Sequence, residues 1–305
     1  MSNADQNAWA KFRMPTWEDD ISLNHNSSAP FENTIAPCEM PRQDFEVPSQ
    51  LKAALLEDKT LDDYLVNDKY PIPAAEDREG YNANFNASYY LNGLADYLKI
   101  LRAAKKYEVP VQSYLDFGCA SGRVLRHFCC QSNIPLLWGT DINGRHIKWL
   151  NDYLPARLKI IHNHCIPNLQ IADHSIDVIS AFSVFTHIDT FETAWLAELY
   201  RILKPGGLVY LTVQNDDSWR FLRNAGPTQM LVERLQKRDP NFMNLLQAEL
   251  PDARLDFRHT DLGPYRAVVF HSDRYLRRTW GRYFEIVEIA PLDHGSHQSV
   301  LIGRK

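Results

Sequence analysis

SYLDFGCASGR, residues Ser113–Arg123, predicts a short buried strand that ends in an acidic residue and runs into a loop of small residues. A helix is expected from Arg123, where the sequence continues as RVLRHF. A loop of small residues lets backbone amides approach a ligand closely, and the amides at the start of the following helix favour negative charge. The stretch therefore indicates a strand–loop–helix unit with a ligand-binding site at the loop.

A second acidic residue, Asp141, ends the next apolar run, LLWGT at 136–140. An acidic side chain at the tip of the second strand can accept hydrogen bonds from both hydroxyls of a ribose. The alternative is that Asp141 is only a turn residue at a strand end. Together, the loop and Asp141 predict binding of a small molecule that carries a nucleoside.

The spacing of the loop separates two kinds of nucleoside cofactor. The dinucleotide fingerprint is G-x-G-x-x-G. Gly118, Ala120 and Gly122 give G-x-A-x-G instead, and Arg123 or Val124 stands where the third glycine belongs. This spacing argues against a dinucleotide.

The downstream segments predict further strands and helices. Residues 176–185 are a continuous apolar run, which is typical of a strand in a parallel sheet covered on both faces. Residues 193–203 have helical apolar spacing, and the KPGG that follows ends this helix. The remaining predicted strands are 208–213, 284–289 and 299–303, with a turn-rich piece at 291–297 between the last two.

This order of elements resembles the class I S-adenosylmethionine-dependent methyltransferases over roughly residues 71–305. The resemblance implies an α/β fold with a Rossmann-like, doubly wound, seven-stranded sheet of order 3-2-1-4-5-7-6 that ends in an antiparallel hairpin. The phrases REGY, DFGCASGRVLRHF, SVFTHI and LKPGGLVYLTV are also similar to a bacterial group associated with glycan and surface-polysaccharide synthesis.

The resemblance implies S-adenosylmethionine as the cofactor. The positions that match the family's contacts around the first two strands are Asp116, Gly118, Cys119, Ala120, Gly122, Asp141 and Ile142. By this match, Asp116 anchors the loop and approaches the cofactor's ammonium group, Asp141 binds the ribose and Ile142 lies against the adenine. Arg123 and Arg126 either meet the cofactor carboxylate or lie on the outward face of the helix.

The end of the third predicted strand, 158–162, departs from the family pattern. Relatives often carry an aspartate there to bind the adenine amino group, whereas this chain has Asn163. Asn163 or a backbone amide is the expected replacement. His162, His164 and Cys165 do not predict a metal site, because adjacent strand residues point to opposite faces and no fourth ligand is near.

An aromatic helix, 87–101, precedes the first core strand. In the family, such a helix often covers the cofactor, which implies that Arg78, Tyr81, Tyr89 or Tyr90 lies near the ligand. The alternative is that the tyrosines only pack the helix onto the sheet.

The end of the fourth predicted strand is expected to face the transferred methyl group, with Phe182, Ser183 and His187 at this point. His187 is the best candidate for a general base, because an unperturbed imidazole titrates near neutral pH. The alternative is a structural histidine that caps the next helix or binds the loop. His294 and His297 are weaker candidates, since a histidine in a hairpin turn is usually solvated.

Composition limits the class of protein. The chain has 305 residues, 45% hydrophobic residues and a net charge of −5, so it has enough apolar residues for a core and no basic excess that favours nucleic acid. It has no apolar run long enough for a membrane span and no basic-then-apolar leader. Five cysteines without metal spacing are typical of the cytoplasm.

Two regions are expected outside the core. Residues 1–70 predict an irregular arm with a short helix at 50–65, and residues 71–305 form the methyltransferase domain. Within this domain, a helical insertion at 215–270 is expected to shape the acceptor site.

The leading hypothesis is therefore a cytoplasmic methyltransferase that modifies a small molecule or a sugar on oxygen or nitrogen. One alternative is a non-catalytic, S-adenosylmethionine-binding regulatory subunit. A nicotinamide-dependent oxidoreductase is the other, against which the loop spacing and the terminal hairpin argue.

Overall fold

The computed structural model describes residues 35–39, 59–81, 86–225, 230–258, 267–295 and 297–305. Most of the predicted arm and most of the helix predicted at 50–65 lie outside the described residues. The last five residues of that predicted helix do form a short helix, α1 (Leu61–Leu65). Thr60 caps α1 by accepting a hydrogen bond from the Asp63 amide.

The other elements alternate between strands and helices along the core. The described strands are β1 (Pro37–Cys38), β2 (Ile72–Pro73), β3 (Ser113–Phe117), β4 (Leu136–Asp141), β5 (Leu158–His162), β6 (Ile176–Ala181), β7 (Leu203–Val213), β8 (Arg254–Arg258), β9 (Ala267–His271), β10 (Glu285–His294) and β11 (Gln298–Arg304). The remaining α-helices are α2 (Asn86–Lys106), α3 (Leu125–Gln131), α4 (Gly144–Tyr153), α5 (Glu192–Ile202), α6 (Asp216–Ala225), α7 (Met230–Arg238), α8 (Phe242–Gln247) and α9 (Asp273–Thr279).

The central sheet has the order β5-β4-β3-β6-β7-β11-β10. Strands β3 to β7 pair in parallel, and β11 is antiparallel to both of its neighbours. This arrangement confirms the predicted order, 3-2-1-4-5-7-6. The chain reverses its direction of winding between β3 and β6, and ligands of open α/β sheets bind outside the carboxyl ends of the strands at such a point.

Helices cover both faces of the sheet, because successive residues of a strand point to opposite sides. Tyr114 points to one side, where its ring stacks on Phe128 of α3. Phe117 points to the other, where its ring lies 4.8 Å from that of Trp195 on α5. Burial of each large apolar side chain contributes about 1.5–3 kcal/mol to stability. The contacts with α3 on one face and with α5 on the other therefore hold the sheet in place near the carboxyl end of β3.

The insertion predicted to be helical contains a hairpin as well as helices. Strands β8 and β9 pair with each other, and an aromatic cluster forms between them and the helices. This cluster includes Trp219, Phe242, Phe257 and Phe270. The Val269 amide donates a hydrogen bond to the Thr186 carbonyl at 2.8 Å, so β9 attaches the insertion to the loop after β6.

The terminal hairpin also differs from the prediction. Strand β10 continues to His294 and β11 begins at Gln298, so most of the piece expected to be a turn at 291–297 belongs to a strand. A register shift between Ala290 and His294 accommodates it. The expectation that His294 is solvated was therefore wrong, because this side chain is 7% exposed.

Candidate functional site

The loop after β3 has a backbone shape that requires small residues. Gly118, Ala120 and Gly122 all have positive φ, at 74°, 44° and 82°. A Cβ atom on Gly118 would lie 2.3 Å from Cγ2 of Val184, so glycine lets the loop after β6 pack directly against this one. The amides of Gly118 and Cys119 both donate to the Thr140 carbonyl, at 2.8 and 2.9 Å, which fixes the loop against the end of β4.

Asp141 joins the two elements that the sequence places beside a nucleoside. Its Oδ2 accepts a hydrogen bond from the Ala120 amide at 2.7 Å, and its Oδ1 accepts one from the Asn143 amide at 2.8 Å. These contacts tie the glycine loop to the start of α4. A carboxylate has about four lone-pair positions, so Asp141 retains acceptor capacity for hydroxyl groups.

Asp116 is buried below the same loop. Ser180 Oγ donates to its Oδ1 at 3.2 Å, and the residue is 3% exposed. Burial raises the pKa of Asp116 to about 7, although the charge of Arg123 lowers it. Because a nearby cation favours the carboxylate form, this group responds to a positively charged ligand near neutral pH.

Asn163 carries an acceptor that has no partner within the described part of the chain. Its Nδ2 donates to the His164 carbonyl at 2.9 Å, while its buried Oδ1 accepts nothing there. A buried polar atom left without a partner costs about 1–3 kcal/mol. A donor such as the exocyclic amino group of adenine would satisfy Oδ1, so this residue fits the predicted cofactor. Ile142 is held nearby, since His162 Nε2 contacts its carbonyl at 3.0 Å.

Residues 73–81, here called the covering segment, precede α2 and lie over the glycine loop. Ser121 Oγ donates to the Asp77 carbonyl at 3.1 Å and lies 3.0 Å from Tyr89 Oη. Arg145 forms an ion pair of 2.8 Å with Asp77 from the other side of the loop. Arg78 is fully buried, with its Nε donating to the Pro73 carbonyl at 2.9 Å, so it stabilises this covering segment.

The two arginines after the glycine loop are buried. Arg123 forms an ion pair of 2.6 Å with Asp96 of α2. Arg126 binds both carboxylate oxygens of Asp68, each at 2.8 Å. The alternative that these side chains lie on an outward helix face is wrong, because α3 packs toward α2 and toward the segment that follows α1.

A second cluster of polar side chains lies where β6 ends. Tyr81 Oη is 2.9 Å from Ser183 Oγ and 3.2 Å from His294 Nε2. His294 Nδ1 is 3.3 Å from the Asp96 carboxylate, and Gln298 Nε2 donates to Ser183 Oγ at 3.0 Å. Sequence reasoning missed Asp96 and Gln298, since their closeness depends on contacts between residues far apart in the chain.

Phe182 lies beside this group. Its ring centroid is 5.0 Å from that of His294 and 5.8 Å from that of Tyr210, and the Arg123 guanidinium lies 5.4 Å from it. Phe182 is 8% exposed, so it forms an apolar wall next to the polar side chains.

His187 contacts the insertion. Its Nδ1 lies 2.8 Å from the carbonyl oxygen of Ala267 in β9. This contact supports the structural alternative, and a role as general base stays a prediction. In the part of the chain that is described, no cluster of three or more His, Cys, Asp or Glu side chains is suited to a metal ion. Within that same part, no helix combines the length and apolar character needed to cross a bilayer.

Comparison with solved structures finds similar chains of low sequence identity. A SAM-dependent methyltransferase from Methanosarcina mazei is 17% identical, with 66% of this chain and 96% of that chain covered and a TM-score of 0.45. The 1,6-didemethyltoxoflavin-N1-methyltransferase of Burkholderia thailandensis is 12% identical, with coverage of 91% and 97% and a TM-score of 0.48. A possible histamine N-methyltransferase from Thermotoga maritima is 18% identical, with coverage of 71% and 92% and a TM-score of 0.43.

A search of curated proteins gives no match. The profile of a family described as "Methyltransferase domain" matches residues 88–283. That range includes all but the first two residues of α2, the glycine loop, Asp141 and the whole insertion, and it is more than half of the chain. The chain therefore belongs to this methyltransferase-domain family, and its cofactor is S-adenosylmethionine.

Proposed function

We propose that this protein transfers a methyl group from S-adenosylmethionine to an oxygen or nitrogen atom of a small molecule or sugar. Two neighbouring side chains carry the proposal: Asp141, which accepts from the Ala120 amide of the glycine loop, and Asn163, whose buried Oδ1 has no partner in the described part of the chain and which directly follows the adjacent strand. Asp141 of β4 is paired in register with His162 of β5, the residue before Asn163. Asp141 and Asn163 therefore lie together at the carboxyl edge of the sheet.

When bound, the cofactor supplies a methyl group on a positively charged sulfur atom. The backbone of Gly118, Cys119 and Ala120 lies against its methionine and ribose parts, and Gly122 leaves room for Leu150 of α4, whose Cδ2 would lie 2.6 Å from an added Cβ. Asp141 accepts from the ribose hydroxyls, and Asn163 accepts from the adenine amino group. These contacts hold the cofactor in one orientation, and such positioning supplies about 7–11 kcal/mol of the barrier in a displacement between two bound groups.

Residues on the other side of the loop complete the site. The Asp116 carboxylate lies below the loop, and from there it attracts the ammonium group of the cofactor through a water molecule. Phe182, Ser183 and Tyr81 surround the methyl group, and Arg78 fixes the segment that carries Tyr81. The insertion at 215–270 borders the acceptor, since β9 attaches to the loop after β6.

Two finer parts of the proposal rest on the sequence. The similarity of REGY and SVFTHI to a glycan-associated bacterial group favours a saccharide acceptor. The five cysteines are all unpaired thiols, which favours a reducing compartment such as the cytoplasm.

Calorimetry with S-adenosylmethionine, S-adenosylhomocysteine and NAD tests this function. We expect the first two to bind with one site per chain and NAD not to bind. Binding of NAD alone would contradict the proposal. Binding of S-adenosylmethionine without turnover on any class of acceptor would favour a regulatory subunit.

A further inference from the structure

The hydrogen bonds at the end of β6 form one continuous chain. One assignment of protons runs along the whole chain: Gln298 Nε2 donates to Ser183 Oγ, Ser183 Oγ donates to Tyr81 Oη, and Tyr81 Oη donates to His294 Nε2. In this assignment the Ser183 proton is not shared with Gln298 Oε1, which lies 3.2 Å from Ser183 Oγ. His294 Nδ1 then donates to Asp96 Oδ1. In this assignment the imidazole is neutral, and its Nε2 is the acceptor for the phenol proton.

The chain of hydrogen bonds has a buried end and an accessible end. Asp96, His294 and Gln298 are 6%, 7% and 6% exposed, whereas Tyr81 and Ser183 are only half-buried. Ser183 has a positive φ of 55°. A non-glycine residue in this conformation costs about 1–3 kcal/mol, and such residues cluster at functional sites. The accessible hydroxyls therefore belong to the end that can meet a ligand.

Both hydroxyls lie next to the glycine loop. Val184, the neighbour of Ser183, packs on Gly118. Tyr81 follows the segment that binds Ser121 through the Asp77 carbonyl, and the Arg123 guanidinium lies 4.0 Å from the centroid of its ring. The hydroxyl pair thus lies between the cofactor loop and the end of β6, on the side of the site where methyl transfer is proposed.

The side chains around His294 include one buried carboxylate, that of Asp96. Burial alone would raise the pKa of Asp96, but the hydrogen bond from His294 and the ion pair with Arg123 hold this pKa well below its usual range. The groups that face His294 are Asp96 from α2, Tyr81 from the covering segment and His297 across the hairpin turn. Arg123 lies behind two of them, since it pairs with Asp96 and lies over the Tyr81 ring. Asp96 thus supplies a carboxylate that stabilises an imidazolium ion.

We propose that Tyr81, His294 and Asp96 form a proton relay that receives the proton of a hydroxyl acceptor during methyl transfer. This inference rests on the proposed function. The acceptor oxygen bonds to the methyl carbon, the carbon–sulfur bond breaks, and sulfur keeps the electron pair as a neutral thioether. The acceptor proton passes to Tyr81 Oη while the phenol proton passes to His294 Nε2, so one proton remains on the imidazole beside Asp96.

The relay favours a hydroxyl over an amine. A hydroxyl oxygen becomes a charged oxonium unless its proton leaves, whereas a neutral amine is already nucleophilic and can lose its proton after transfer. A positioned base contributes about 10²–10⁴-fold to such a step. Tyr81 is the member placed to meet the acceptor, and His294 and Asp96 are positioning residues that act through it.

The test uses the full chain with S-adenosylmethionine and a panel of simple phenols, monosaccharides and matching primary amines. The variants are Tyr81→Phe, which removes one hydroxyl, and His294→Asn, whose amide keeps a donor toward Asp96 but provides no base. His297→Asn is the matched control, because this histidine lies in the same hairpin and bonds to the Gly295 carbonyl. Calorimetry with S-adenosylhomocysteine shows whether each variant folds and retains its cofactor site.

We expect both relay variants to bind S-adenosylhomocysteine within threefold of the unsubstituted protein, to lose about 10²-fold or more in kcat on a hydroxyl acceptor, and to change KM little. The loss of kcat should be absent in His297→Asn, because this side chain is not a member of the relay. Rates equal to the unsubstituted protein, turnover restricted to amines, or no transfer to any hydroxyl would overturn the relay. Loss of turnover in His187→Ala alone would return the base role to His187. Failure of S-adenosylmethionine to bind the unsubstituted protein would instead refute the proposed function.

Discussion

At the scale of single residues, Asp116 links cofactor binding to pH. Burial raises its pKa to about 7, so this carboxyl is largely protonated in the free protein under mildly acidic conditions. The cofactor's ammonium group favours the carboxylate form, and binding therefore releases a proton below this pKa. We expect the Kd of S-adenosylmethionine to rise by up to about tenfold per pH unit as pH falls from about 7 to 5.5, measured by calorimetry.

The variant Asp116→Asn separates this effect from general acid sensitivity. It should bind the cofactor more weakly at pH 7 and lose most of the pH dependence. A folded pKa above the unfolded value means that the folded protein binds more protons between about pH 4 and 7, so the stability from this group declines as pH rises through that range. At pH 8 the unsubstituted protein must bury the charged Asp116 carboxylate, whereas Asp116→Asn buries a neutral amide. Without cofactor, Asp116→Asn should therefore unfold at a higher temperature than the unsubstituted protein at this pH. Equal Kd values at pH 5.5 and 7 would contradict the contact.

Asp141 supports a second prediction at this scale. Asp141→Ala removes the acceptors for the ribose hydroxyls and for the Ala120 amide. Since hydrogen bonds to a charged group are worth about 1.5–3 kcal/mol, we expect cofactor binding to weaken by that amount in calorimetry. Asp152→Ala, a half-exposed carboxylate on α4, should bind normally. An unchanged Kd in Asp141→Ala would show that the ribose lies elsewhere.

At the scale of elements, a buried ion pair fixes the segment after α1 to α3. Arg126 and Asp68 are 1% and 0% exposed in their side chains, and the charge of Arg126 lowers the pKa of Asp68 despite burial. Asp68→Asn leaves Arg126 buried without its counter-charge, which typically costs about 3–5 kcal/mol. Chemical denaturation should report this loss in the free energy of unfolding.

The matched control is the pair Lys148–Asp152, which is 34% and 40% exposed along one helix. Asp152→Asn should change stability by no more than about 0.5 kcal/mol, because exposed i,i+4 pairs contribute little. Because the pKa of Asp68 is lowered in the folded protein, its contribution is present at neutral pH and is lost as pH falls through the acid range. Equal losses in the two variants would refute the claim that burial of the Arg126 pair dominates.

At the scale of the whole molecule, local pattern predicted the glycine loop and the helix before β3, whereas the order of the sheet was implied by the resemblance to a known family. The loop and the helix depend on short segments: an apolar strand followed by Gly118 and Gly122 has few alternative shapes. The hairpin of β8 and β9 was not predicted, because it forms only when the two strands meet each other and the loop after β6.

The buried polar group at the end of β6 was beyond local pattern for the same reason. Asp96 lies on a long helix, where a charge usually faces water, and His294 lies 198 residues away on the terminal hairpin. Their contact depends on how α2 packs beside the hairpin and on Arg123, which forms an ion pair with the same carboxylate. Long-range burial, rather than sequence spacing, therefore decides which histidine joins the site.

A crystal structure of the protein with S-adenosylhomocysteine tests the central claim, that the turn after β3 and the ends of β4 and β5 hold the cofactor. We predict electron density with the ribose hydroxyls within hydrogen-bonding distance of the Asp141 carboxylate and the adenine amino group on Oδ1 of Asn163. Density for the ligand elsewhere, with Asn163 Oδ1 left unpartnered and the glycine loop bare, would contradict the account.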